Sequence, residues 1–187
     1  MNIAMNNRIY SVFAAAILLF PGASGALDYA EFTFNVSVPK NTCTISVNGD
    51  GPNSIDFGTL PLNKLKNEAG QGKVKKNFTV TLSDCKNNLF SGNVVKISGN
   101  YVNDGYLDIP GEREFAVRIS DKSNAVQADN VFYSPTNNVI WSGINGSALS
   151  KDFTAYIMCK NGIADCSASD GNLGEFKASV TLTYLAD

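Results

Sequence analysis

Strict alternation of apolar and polar residues near both ends of the chain is the feature that most limits its fold. Toward the N-terminus the apolar positions are Ala30, Phe32, Phe34, Val36 and Val38. Toward the C-terminus they are Phe176, Ala178, Val180, Leu182 and Tyr184. Successive side chains of a β-strand point to opposite faces of the sheet, so each run predicts a strand with one buried face.

The rest of the chain has the same character, with short strands separated by turn-forming residues. The strands are predicted at residues 30–38, 42–47, 54–60, 74–82, 94–98, 114–119, 152–159 and 175–185. No helical stripe of useful length interrupts them, and the polar stretch 63–73, in which only Leu65 and Ala69 are apolar, is predicted to be a mobile surface loop. The pattern indicates one all-β domain, a sandwich or a barrel.

The first 25 residues have the composition of an export signal. Arg8 precedes the apolar run 12–20, Pro21 ends that run, and Ala23-Ser24-Gly25 offers small residues for cleavage. The run is about half the length needed to span a bilayer. We therefore expect residues 1–25 to be a signal peptide, cleaved after Gly25, and the chain to be exported.

Four cysteines remain in the exported part, at positions 43, 85, 159 and 166. Outside the cytoplasm an even number favours two disulfides, for which three pairings exist. We favour Cys43–Cys85 with Cys159–Cys166, because the second pair is close in sequence and is separated by the turn-formers Asn161-Gly162. The chain has no histidine and no Cys-x-x-Cys pair, so a structural metal site is not expected.

Composition also argues against several functions. The formal net charge of −2 lacks the basic excess that nucleic-acid binding needs. Without histidine, a serine or cysteine nucleophile has no imidazole base, and no catalytic constellation stands out. We therefore expect a protein that is not an enzyme and needs no cofactor.

The C-terminal run raises a question about its neighbour in the sheet. A sandwich whose last strand has no following partner exposes backbone donors and an apolar slot along that edge. We expect another strand to cover this edge.

Four segments together resemble a known family. They are the alternating strand 32–38, the cysteine strands 43–45 and 79–85, the phrase Ile55-Asp56-Phe57-Gly58-Thr59-Leu60, and the terminal run 174–184. Their order and spacing are similar to those of pilins of the chaperone–usher pathway, the subunits of type 1-like and P-like fimbriae.

The resemblance implies an incomplete immunoglobulin-like sandwich that lacks its last strand. A periplasmic chaperone first fills the resulting groove, and the N-terminal strand of the neighbouring pilin subunit then replaces it during assembly at an outer-membrane usher. Residues 26–41 would be the donor-strand extension, with Ala30, Phe32, Phe34, Val36 and Val38 inserting. Residues 42–187 would be the pilin domain, whose groove strand carries Phe176, Ala178, Val180, Leu182 and Tyr184. The implied function is a structural subunit of an adhesive, cell-surface fimbria that grows head to tail.

Other interpretations stay open at this point. The leading strand could fold into its own domain, paired with 42–47 through a hairpin at Pro39-Lys40-Asn41. The chain could instead be a single-domain adhesin that binds a host receptor, or a minor or terminator subunit that anchors the fibre.

Overall fold

Two β-sheets and one short helix make up the described part of the chain. The computed structural model describes residues 29–37, 43–85, 92–102, 105–107, 115–144, 146, 149–160 and 176–185. The helix is α1 (Leu62–Glu68). The strands are β1 (Tyr29–Ser37), β2 (Thr44–Asn48), β3 (Ser54–Thr59), β4 (Lys75–Ser83), β5 (Val94–Gly99), β6 (Tyr101–Val102), β7 (Tyr106–Leu107), β8 (Phe115–Ser120), β9 (Val139–Trp141), β10 (Ser150–Cys159) and β11 (Phe176–Leu185).

The two sheets pack as an immunoglobulin-like sandwich. The first sheet has the order β3-β1-β11-β5-β9, and the second has the order β2-β4-β10-β8-β7-β6. The core lies between them, because inward residues alternate along the strands; in β4, for example, Phe78, Val80 and Leu82 are buried. The all-β prediction is confirmed, and each of the eight predicted strands overlaps an observed one.

The prediction of a loop over 63–73 is wrong, because residues 62–68 form α1. Leu65 and Ala69, the two apolar residues of this segment, are four positions apart and therefore lie on one face of the helical turn. Both are buried, Leu65 at 2% exposure and Ala69 at 0%. Two apolar positions are too few for a helical period to stand out in the sequence, yet they are enough to dock one short helix on the core.

The second sheet has a smaller core on its outer face. All six residues of β8 are buried, as are the last seven of β10, so neither strand shows a solvent face. Residues from the loop after β8 cover them. The cluster consists of Tyr106, Ala116, Ala125, Phe132, Tyr156 and Met158. This cover explains why alternation is weak in β8.

Disulfides close the domain near its start. Cys43 and Cys85 are bonded, as the sequence analysis favours. Cys43 immediately precedes β2, and one residue separates Cys85 from the end of β4. These two strands are antiparallel neighbours. Cys159 is also disulfide-bonded, while Cys166 and the expected signal peptide lie outside the described residues. None of the described helices has the length and apolar character to cross a bilayer.

Candidate functional site

The leading strand β1 occupies the position beside β11 that the sequence leaves uncovered. It lies between β3 and β11 in the first sheet. Its register with β11 is parallel and joins residues 30–37 to residues 176–183. Its register with β3 is antiparallel, with a shift between Ala30 and Glu31. The edge of β11 is thus closed by a strand of the same chain.

The inward side chains of β1 are part of the core. Phe32 is 0% exposed and Phe34 is 4% exposed, while Val36 is half-buried against the same cluster. The rings of Phe32 and Phe34 meet edge to face with centroids 4.8 Å apart. Val38, the last predicted donor position, lies outside the described residues. Burial of this face matches the predicted one-faced strand.

The C-terminal strand β11 presents the face with the predicted alternating apolar residues to the same core. Ala178, Val180, Leu182 and Tyr184 are each at most 1% exposed, whereas Lys177 and Ser179 face outward. Phe176 is the backbone partner of Ala30. Burial raises the pKa of the Tyr184 phenol, and a side-chain hydrogen bond with Asn93 partly opposes this shift. The face of β11 beside β1 therefore consists of apolar and neutral groups.

The turn before β3 also contacts β1. The backbone N–H of Phe34 donates to the carbonyl of Asn53 at 3.1 Å. Asn53 has a positive φ of 54°, and its side-chain oxygen accepts from the N–H of Val47 at 3.1 Å. Asparagine tolerates this left-handed conformation better than most residues. The turn thus aims a carbonyl at β1 and ties it to the opposite sheet.

The outer face of the site is polar and contributes little to holding β1. Glu31 and Lys177 are register partners and form an ion pair of 3.3 Å between half-exposed side chains. Pairs of this kind contribute between about zero and 1 kcal/mol. Retention of β1 must therefore depend on its inward face and its backbone ladders.

The open alternative of a hairpin partner at 42–47 is wrong about the neighbour of β1. Residues 44–48 form β2, which belongs to the second sheet and pairs with β4. The chain between β1 and β2 instead leads from one sheet to the other. Adjacency in sequence favours hairpins, but the buried slot between β3 and β11 accepts a strand with two phenylalanines facing inward.

Sequence reasoning missed β3 as a partner of the site. Ile55 is the register partner of Phe32 and is 0% exposed. The alternation of Ile55 and Phe57 signals a buried face but does not say which strand lies beside it.

In the described ranges, no group of three or more histidine, cysteine, aspartate or glutamate side chains is placed to hold a metal ion. The predicted donor and groove residues that the structure describes lie on neighbouring strands of one sheet.

Two comparisons with known proteins bear on this chain. A family model described as "Fimbrial protein" matches residues 31–184, from within β1 to near the end of β11. A search of curated proteins found no match.

Proposed function

The chain belongs to the fimbrial protein family, and we propose that it polymerises by donating β1 to the groove of a neighbouring subunit. Family membership implies assembly with other pilin subunits in a cell-surface fimbria. In the proposal, Ala30, Phe32, Phe34, Val36 and Val38 are the donor residues. The groove strand that receives them carries Phe176, Ala178, Val180, Leu182 and Tyr184.

The observation that carries the proposal is the place of β1 in the first sheet. β1 is an interior strand of its sheet, yet in the described part of the chain it is the first element, and every strand it pairs with follows it in sequence. The Cys43–Cys85 disulfide closes the domain immediately after this segment. β1 can therefore leave the groove without pulling on β2 or β4.

The groove without β1 would need another cover. Its walls include Ile55, Val180 and Leu182, which are at most 1% exposed when β1 is present. Exposed apolar slots with free strand edges bind further strands, including those of wrong partners. A periplasmic chaperone that lends a strand, followed by handover at an outer-membrane usher, would meet this need before assembly.

The direction of β1 gives exchange a physical advantage. In its own groove β1 runs parallel to β11, along the longer ladder, and antiparallel to β3, along the shorter one. Parallel pairing is slightly less stable per residue than antiparallel pairing. A neighbour's strand inserted in the opposite direction would make the longer ladder antiparallel and could thus replace the strand of the same chain.

The energy of the contact suits a durable fibre. Burial of a phenylalanine contributes about 1.5–3 kcal/mol, so Phe32 and Phe34 together supply roughly 3–6 kcal/mol before ordering costs. Backbone hydrogen bonds on both sides add adhesion, and alternate side chains set the register. Because donor and groove are different surfaces, the contact is head to tail and does not close.

A disulfide trap tests the proposal. Thr33 and Ser179 are register partners on the outward face of β1 and β11. Neighbouring strands lie about 5 Å apart, which is within the usual Cα–Cα range of disulfides. The double variant Thr33→Cys/Ser179→Cys should lock β1 in its own groove and remain monomeric. Each single variant should still form fibres. Fibres from the oxidised double variant, with the cross-link verified by mass spectrometry, would contradict the proposal.

A deletion gives the complementary test. Without residues 26–41 the subunit should be recovered with its chaperone but should not extend a fibre. A synthetic peptide of residues 30–38 should displace the chaperone and form a heat-resistant complex with the deleted subunit. Normal fibres from the deletion, or a subunit that is stable alone and ignores the peptide, would contradict donor-strand exchange.

A further inference from the structure

Arg118 is a buried cation on the outer face of the second sheet. It lies in β8 and is 8% exposed. Its guanidinium carbon is 3.8 Å from the ring centroid of Phe132 and 4.6 Å from that of Tyr106. Contacts of this kind with aromatic rings favour a desolvated cation.

The positive charge of Arg118 has no carboxylate partner in the part of the chain that the structure describes. Nη1 donates to the carbonyl of Gln127 at 3.1 Å, and the buried Nε meets no acceptor within the described ranges. Burial lowers the pKa of Arg118 from its ordinary value, which reflects the cost of desolvating the charge. A buried charge of this kind is stabilised by a paired anion.

A polar cavity adjoins this guanidinium. Its volume is about 530 Å³, within the range of small-molecule sites. The lining residues are Arg118, Asn130, Phe132, Ser134, Thr136 and Asn137. Hydroxyl and amide groups therefore surround one cationic group and one aromatic ring.

The cavity walls are held in place by the backbone. Ser134 and Asn137 exchange two backbone hydrogen bonds of 3.1 Å, and the Asn137 N–H also donates to the Ser134 hydroxyl oxygen. The neighbouring Tyr133 N–H donates to the carbonyl of Ile119 in β8 at 2.9 Å. A preformed cavity reduces the ordering cost of binding.

We propose that this cavity binds the carboxylate of an acidic sugar, with Arg118 as the anion-binding residue. The guanidinium fork matches a carboxylate, and among the described residues its Nε donor is unpaired and its charge meets no carboxylate. The asparagine, serine and threonine side chains suit the hydroxyl groups of a saccharide. This role is independent of strand exchange, because none of the cavity residues belongs to β1, β3 or β11.

Nuclear magnetic resonance of the ¹⁵N-labelled exported chain, without residues 1–25, tests the proposal. Outside residues 1–25 the only arginines are Arg113 and Arg118, so the two Nε–H resonances can be assigned by substitution and Arg113 serves as an internal control. Titration with glucuronate should shift the Arg118 resonance in a saturable way. Glucose at the same concentrations should leave it unchanged.

A charge placed in the cavity sharpens the test without altering Arg118. Asn130→Asp puts a competing carboxylate in the cavity lining and should weaken glucuronate binding at least about tenfold, since like charges repel in a confined site. Asn124→Asp adds the same charge at an exposed position that does not line the cavity, and should bind like the unmodified chain. Both variants should still form fibres.

Three results would overturn the proposal. They are the absence of a saturable Arg118 shift with glucuronate, an equal response to glucose, and unchanged binding in Asn130→Asp. Tighter binding of inorganic phosphate than of glucuronate would overturn the sugar assignment, because the cavity would then be a general oxyanion site.

Discussion

The ring of Phe34 lies 5.0 Å, centroid to centroid, from the ring of Phe78 in the opposite sheet. Phe78 in turn stacks on Phe153 of β10 at 5.6 Å. The leading strand is therefore not a loose cover on the first sheet, because its side chain reaches across the core to the second. In the proposed strand exchange, a neighbour's strand would make the same contact in place of β1.

Phe34→Ala should lower the free energy of unfolding of the monomer by about 3–5 kcal/mol, the usual cost of truncating a buried phenylalanine. Asn35→Ala, at the next and exposed position, should change it by less than about 0.5 kcal/mol. Urea unfolding followed by tryptophan fluorescence of Trp141 measures both. A loss below about 1 kcal/mol for Phe34→Ala would show that β1 contributes little to the isolated fold.

Loss of the Cys43–Cys85 disulfide should have a similarly large effect. The bond joins residues 42 positions apart, and in the loop-entropy model this closure contributes roughly 4 kcal/mol. Replacing both cysteines by alanine should therefore lower the urea midpoint strongly. Cys159→Ala/Cys166→Ala, which by the predicted pairing opens a loop of eight residues, should cost roughly 2.5 kcal/mol in loop entropy, plus any packing loss at buried Cys159. The reverse order would contradict this account.

Alternation in the sequence was sufficient to place eight strands, because each of them has a face in the core; β8 is among them, although its outer face is also covered, by Phe132 and its neighbours. It failed at β6, β7 and β9, where two or three residues are too few for a period to be visible. It also failed at α1, which depends on the tertiary docking of Leu65. These elements are determined by contacts that are distant in sequence.

The candidate site was predictable in part. The inward faces of β1 and β11 follow from their alternation, and the Cys43–Cys85 bond belongs to the pairing that cysteine spacing favoured among three. The placement of β1 between β3 and β11 does not, since alternation gives a strand a buried face but no partner. The sequence also did not predict that Arg118 lines a polar cavity, because the aromatic residues that pack on it, Phe132 and Tyr106, lie 14 and 12 positions away in the chain.

Gly72→Ala should destabilise the domain far more than Gly143→Ala. Both glycines have a left-handed backbone, with φ of 66° and 64°, so alanine pays a similar conformational cost at each. A Cβ at Gly72 would meet the carbonyl oxygen of Ala125 at 1.9 Å, whereas a Cβ at Gly143 would have no atom of the described residues within 4 Å. Thermal unfolding of the two variants measures the difference. Equal melting temperatures would mean that the loop carrying Ala125 shifts to accommodate the Cβ at little cost in stability.

Two tyrosines with buried hydroxyls should respond differently to loss of that hydroxyl at pH 7. The Tyr133 hydroxyl donates to the carbonyl of Ile140 at 3.2 Å, so Tyr133→Phe should cost about 1 kcal/mol. The buried Tyr101 hydroxyl finds no partner among the described residues, so Tyr101→Phe should be neutral or stabilising. Urea unfolding at pH 7 measures both, and a larger loss for Tyr101→Phe would contradict the assignment of partners.

Alkaline pH should separate Tyr101→Phe from the parent chain. Burial raises the pKa of Tyr101 from its ordinary value of 10.0 to about 12, because the phenolate is poorly solvated in the fold. Between these pH values the folded state keeps a proton on Tyr101 that the unfolded state has released. The contribution of Tyr101 to the free energy of unfolding is therefore fully present below pH 10 and is lost as pH rises toward 12. Tyr101→Phe removes this pH-dependent contribution. The contribution of Tyr133, whose pKa is also raised by burial, is the same in both proteins. The free energy of unfolding, measured by urea titration at intervals from pH 9 to 12, should therefore fall less steeply in Tyr101→Phe. Parallel curves for the two proteins would show that Tyr101 ionises alike in both states.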